Sequence, residues 1–190
     1  MSDRVDQEQI RQWLLTDPLR LKCLSALSSM PHQPLYIAAG FVRNCVWDHL
    51  FGMGLTTPLN DVDVIFYASE QSQQEQQLQT LLQKAVPECH WQVKNQATMH
   101  LRNGHSAYSG CEHAMSYWPE LETAVAVRLL DNFQLEFIAP FGLSPLLAGT
   151  ITQNPKQDVQ VFDQRIKSKS WLSIWPQLRV VRSGRGSGIS

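Results

Sequence analysis

The sequence predicts a mixed α/β (α+β) domain, a β-sheet with helices packed around it, and three observations carry that prediction. Residues 36–66 read as strand, tight glycine turn, helix, loop and second strand. Residues 123–138 fall into two short runs rich in β-branched and aromatic residues with polar alternation, the pattern of a hairpin. Around them lie stretches with apolar residues at helical spacing. At 190 residues the chain has the length of one domain and can bury roughly 70% of its unfolded surface in a single core.

In chain order, residues 7–15 predict a helix with Ile10, Trp13 and Leu14 on one face. A second helix follows Asp17 as N-cap and Pro18 at the first helical position, with Leu21, Leu24 and Leu27 at three-residue spacing. Met30-Pro31 ends it. Tyr36-Ile37-Ala38-Ala39 is a short apolar strand, and Gly40 is the breaker after it. Helix fits 41–51, where Val42, Cys45, Val46, His49 and Leu50 recur at 3.6-residue spacing. Gly52 and Gly54 stop it, and Thr57-Pro58 with Asn60 form the loop.

Residues 61–66, Asp-Val-Asp-Val-Ile-Phe, form the next strand. The period of two sets both carboxylates on one face and the valines on the other. A glutamine-rich helix is expected from Ser69-Glu70 to about Ala85, its thin stripe made by Leu78, Leu81, Leu82 and Val86, with Pro87 closing it. Residues 90–93 read as a third strand opening onto Lys94-Asn95-Gln96. Ser109 and Glu112 have the spacing of a capping box, for a helix to about Trp118. Strands 123–130 and 133–138 are joined by Asp131-Asn132 as a two-residue turn. A short helix through about Ala148 and a longer one over 158–170 complete the pattern, with Trp171 and Trp175 as packing residues. The reading is one domain over 1–182, with N-terminal helices in 1–34, and a disordered tail over 183–190.

Composition narrows the partners. Only 17% of residues are charged and the net charge is −1, so no basic field draws nucleic acid from a distance. This argues against a long polynucleotide acceptor and leaves a free nucleotide open. The four cysteines show no framework spacing, no secretory apolar segment opens the sequence, and no apolar run approaches the ~18 residues of a membrane span. A cytoplasmic protein without a membrane segment is expected. Between Cys89 and His113 six cysteines and histidines invite a zinc reading, but His100-x₄-His105 is the only regular pairing among them.

The chemistry concentrates on Asp61 and Asp63. Same-face residues two apart lie roughly 6.6 Å from one another along a strand, so one cation can sit between the two carboxylates. Oxygen-only ligands suit Mg²⁺, which takes much of its remaining shell from water and substrate phosphate. The plain alternative is a solvated edge face. Against it stands the glycine turn some twenty residues upstream, because the first N–H groups of a helix bind phosphate.

Ala39-Gly40-Phe41-Val42-Arg43-Asn44 followed by Asp61-Val62-Asp63-Val64 resembles the glycine motif and Asp-x-Asp signature of the polymerase β-like nucleotidyltransferase superfamily, above all the opening of the tRNA CCA-adding enzymes. Ala39 stands at the first glycine of that motif and Asn44 at its aspartate. Further stretches, including residues 91–96, 123–129, 138–143, Lys169-Ser170-Trp171 and Trp175-Pro176, resemble a bacterial family of single-domain nucleotidyltransferase-like proteins. The resemblance implies the minimal nucleotidyltransferase fold and a metal-dependent reaction in which an NTP gives up its NMP group to a hydroxyl acceptor, which it does not name.

It also implies roles. Asp61 and Asp63 would hold Mg²⁺ (or Mn²⁺). Gly40 and the N–H groups of Phe41 and Val42 would hold phosphates, with Arg43 as a further contact or as a salt bridge within the fold. Lys94 would reach the triphosphate or stand free at the surface. Glu136 would be the third acid, unless Arg128 claims it across the hairpin. Ala39, Asn44 and a glutamate as third acid also motivate an alternative: a catalytically degenerate nucleotide-binding or interaction module of the same fold.

Overall fold

The computed structural model describes residues 2–31, 34–52, 56–68 and 74–184. Helices α1 (Ser2–Thr16) and α2 (Pro18–Ser28) meet at Asp17, whose carboxylate accepts the Leu19 and Arg20 N–H groups while Pro18 opens α2. Strand β1 (Tyr36–Ala38) leads directly into α3 (Gly40–Phe51), then β2 (Asp61–Phe66). Helix α4 (Gln74–Ala85), β3 (His90–Asn95), α5 (Gln96–Asn103) and α6 (Cys111–Met115) follow. The chain closes with β4 (Ala126–Leu129), β5 (Leu135–Ile138), α7 (Ser144–Leu147), β6 (Thr150–Thr152), α8 (Val159–Ser168), α9 (Trp171–Ile174) and β7 (Arg179–Val181).

Five strands make one sheet in the order β3-β2-β1-β4-β5. It is mixed: β2 and β3 run parallel, and the other pairings are antiparallel. Strand alternation divides its faces. Ile37, Val62, Val64, Trp91, Val93, Val127 and Leu135 point into the main core against α1, α2, α3 and α4. The opposite face carries Asp61, Asp63 and Gln92, and a smaller cluster around Tyr36, Ala38, Ile65, Met115 and Ala126. The C-terminal elements bring a third cluster, in which Trp171 and Trp175 set their rings edge-on to Trp47 of α3, with centroids 6.1 and 5.1 Å away. Trp175 Nε1 also donates to buried Asp48, which accepts the Thr57 N–H and hydroxyl as well. Gly52 is the C-cap of α3, and a side chain is excluded there because a Cβ would stand 1.7 Å from the Asp48 carbonyl oxygen.

Several boundaries differ from expectation. The 131–132 turn is a 3₁₀ turn, Asp131–Phe133, with Asn132 and Phe133 both at positive φ, and the strands beside it shorten accordingly. Ser109 and Glu112 do not form a capping box. Gly110 caps a five-residue helix, and the Ser109 N–H and hydroxyl turn to His113 Nδ1. The helix expected over 158–170 is α8, capped by Asp158 and ending at Ser168, and the short α9 follows it as a separate element. Helix α5 and the parallel pair β6–β7 were not expected. Asn95 accounts for α5: its side-chain oxygen accepts from Ala97 N–H and Ala68 N–H, so one amide caps the helix and ties β3 to the end of β2. The expected helix start at 69–70, the Gly54 stop and residues 185–190 of the tail lie outside the described residues. Among the described residues no helix is long and apolar enough to cross a membrane.

Candidate functional site

The site is set by register. Asp63 on β2 pairs with Ala38 on β1, and the next residue, Ala39, turns the chain into α3. That turn is strained: Ala39 has φ 56° and ψ −119°, backbone that glycine adopts freely and alanine rarely. Gly40 has no positive φ, and a Cβ on it would meet only ordinary contacts. The residue types therefore stand one position out of step with the backbone. Ala39 N–H donates to the Val125 carbonyl, and its own carbonyl accepts the Val42 and Arg43 N–H groups. The first-turn N–H groups of Gly40 and Phe41 have no intrahelical acceptor.

On its other edge β2 pairs with β3, which sets His90 beside Asp61 and Gln92 beside Asp63. His90 Nδ1 stands 3.0 Å from Asp61 Oδ1. A cleft of about 600 Å³ opens over this face, and Asp61, Asp63, Gly40, Arg43, Lys94 and Lys169 all line it. The size suits a small-molecule ligand. Burial, and next the Asp61 charge, hold the Asp63 carboxyl above the usual carboxylate range, opposed by Arg43, Lys169 and Arg165. Two like charges in a cleft, with hard oxygen donors on one strand face, fit a divalent cation.

Arg43 forms the cleft wall beneath them. Its guanidinium is buried and donates to Thr123 Oγ1 at 2.7 Å and to Asn44 Oδ1 at 2.9 Å. It lies 5.1 Å from the Trp47 ring centroid and 4.5 Å from that of Trp171. Burial draws its pKa down to about 10. Asn44, at the motif's aspartate position, thus holds the arginine as a neutral acceptor. Beside it, Arg165 grips buried Glu120 with both Nε and Nη2, at 2.5 and 3.1 Å.

A family model described as a nucleotidyltransferase matches residues 26–180. The chain belongs to this nucleotidyltransferase family. The NMR structure of a protein said to reveal a CCA-adding enzyme head domain is similar at 26% sequence identity, covering 96% of this chain and 100% of that one, with a TM-score of 0.81. No curated protein matches the sequence. The polymerase β-like superfamily and its fold, expected from the glycine motif and the Asp-x-Asp strand, are therefore those of this nucleotidyltransferase-family chain.

Three expectations for the site need correction. Glu136 does not join the aspartates. It faces the same side of the sheet but lies on β5, three strands from β2, roughly 14 Å across at ordinary strand spacing. There Arg128 Nε donates to Glu136 Oε2 at 2.6 Å, and the Tyr36 hydroxyl to Oε1 at 3.1 Å. The Val42 N–H is committed to the Ala39 carbonyl, which leaves Gly40 and Phe41 as the open donors. Among the described residues Arg43 makes no salt bridge; its partners are neutral oxygens and two indole rings.

Apart from His90, the histidines of this stretch serve elsewhere. His100, His105 and His113 set their rings around Tyr108, and among the described residues no group of three or more acidic, histidine or cysteine side chains is arranged to hold a metal. Sequence reasoning passed over Gln92, His90, Arg165 and Thr123 as site residues. The register of a parallel β2–β3 pair would have found the first two; the others depend on where α8 docks.

Proposed function

We propose that this chain is a metal-dependent nucleotidyltransferase that moves an NMP group from an NTP to a hydroxyl acceptor. One observation carries the reading: Asp61 and Asp63 share a cleft with the open first turn of α3, because Ala38 pairs with Asp63 and the chain enters the helix one residue later. Asp61 and Asp63 would hold Mg²⁺ or Mn²⁺, which when bound supplies charge neutralisation at the transferred phosphoryl group. The Gly40 and Phe41 N–H groups would donate to a phosphate at the positive end of the helix. Arg43 would act as a fixed cationic wall, held by Thr123 and Asn44. Lys94 stands on the edge strand, in the row of Ile65, where it would meet the phosphate chain. The net charge of −1 favours a small acceptor in a cytoplasmic setting over a long nucleic acid.

Label transfer from α-labelled NTPs in cell extract with Mg²⁺, wild type against Asp61→Ala/Asp63→Ala, tests this. Transfer by the wild type alone is expected. Transfer that persists in the double variant refutes the role of the aspartates.

A second reading has its own observation. The row through Asp63 runs Gln92, Asp63, Ala38, Ala126, Ile138, with no further carboxylate in it. A nucleotide-binding module without turnover would look the same. Mg–NTP binding by calorimetry without pyrophosphate release with any acceptor would favour it.

A further inference from the structure

Lys169 caps the C-terminal end of α8 and lines the cleft that contains Asp63. Its backbone is fixed on both sides. One turn earlier Arg165 is clamped to buried Glu120, and two residues later Trp171 is buried between the guanidinium groups of Arg43 and Arg165. The side chain itself is exposed. No carboxylate lies within ion-pair distance of it among the described residues, whereas Arg165 has Glu120. Arg43 is likewise committed, to Thr123 and Asn44. Lys94, from β3, also lines the cleft and has no carboxylate partner among the described residues. The two ammonium groups reach one acid-lined cleft from separate elements, and Lys169 is near enough to act on the Asp63 carboxyl. An anchored stem with an unpaired head suits a ligand bearing several negative charges.

We infer that Lys169 binds the terminal phosphates of the nucleotide and makes the site selective for triphosphates over monophosphates. This rests on the nucleotidyltransferase reading. The competing role is structural, a cation complementing the C-terminal end of α8, and it would touch stability and not phosphate number.

Calorimetry with each common Mg–NTP, the matching NMP and inorganic pyrophosphate, on wild type, Lys169→Ala and Lys169→Arg, separates these, with thermal melting run alongside. Lys169→Ala is expected to weaken NTP and pyrophosphate binding about tenfold and to leave NMP binding within about twofold, with Lys169→Arg restoring most of the loss. If the wild type binds Mg–NTP and Lys169→Ala binds it equally well, or loses NTP and NMP affinity in equal measure, the inference fails and the nucleotidyltransferase reading stands. A wild type that binds none of the Mg–NTPs removes both.

Discussion

Asp63 and Ala38 are register partners across the β1–β2 ladder, so the carboxylate and the entry to α3 cannot move apart without breaking the sheet. The arrangement puts an acid beside another acid in a partly buried place. Asp63 is held above the usual carboxylate range by burial first and by Asp61 second. A folded-state pKa above the unfolded one means the folded protein holds that proton more tightly. Stability from this group is full at low pH and is lost as pH rises from the ordinary aspartate range through the raised folded value. Asp63→Asn cannot ionise. In metal-free protein it should raise the melting temperature at neutral pH, and the gain should vanish on titration to about pH 3.5. The same variant should lose divalent-dependent nucleotidyl transfer by roughly 10²–10³-fold. Melts at or below wild type at pH 7 would contradict the burial argument.

Glu136 should behave as a structural residue. Its two oxygens are taken by Arg128 and by Tyr36, whose hydroxyl is pushed up to about 12 by burial first and by this hydrogen bond second. Glu136→Gln should cost about 1 kcal/mol in urea unfolding, since the ion pair is partly open to solvent. Transfer rates should stay within about twofold of wild type. A loss comparable to that of the aspartate variants would reinstate it as an acid of the site.

Ala39 and Gly40 invite a paired test. The left-handed backbone falls on the alanine and not on the glycine. Ala39→Gly should stabilise the protein by about 1 kcal/mol, the relief of a positive φ less the added freedom of the unfolded chain. Gly40→Ala should leave the melting temperature nearly unchanged, because its Cβ would meet Arg43 and Asn44 side chains at 3.4 Å or more. Ala39→Gly melting below wild type would show that the turn is not strained.

What could be read in the sequence was whatever depends on neighbours along the chain. Asp17-Pro18 gave the start of α2, and the alternation of Asp61-Val62-Asp63-Val64 gave the two faces of β2, because caps and pleats are local rules. Glu136 marks the limit of that logic. Alternation sets it opposite Leu135 and Phe137, but it cannot count the strands between β5 and the aspartates, and here β1 and β4 intervene. The strain at Ala39 was hidden because residue type pointed to Gly40 as the turn. Strands β6 and β7, three residues each, exist only through pairing with one another across 26 intervening residues, and no local pattern announces them. Helix α5 was within reach: Asn95 before it and Gly104 at φ 67° after it are ordinary helix punctuation.

Glu120 tests whether the C-terminal segment is part of the site or merely beside it. The carboxylate is almost wholly buried and takes two bonds from Arg165, which in turn lies over Trp171. Glu120→Ala leaves a guanidinium in the cleft wall without its partner, and such losses cost about 3 kcal/mol. Glu120→Gln keeps one acceptor and the shape, so it should cost roughly half as much. If α8 helps to form the nucleotide site, Glu120→Gln should also weaken Mg–NTP binding at a temperature where circular dichroism shows the fold intact, because Lys169 and Trp171 are placed by the same clamp. If α8 is only packing, the variant should melt earlier and bind nucleotide as the wild type does.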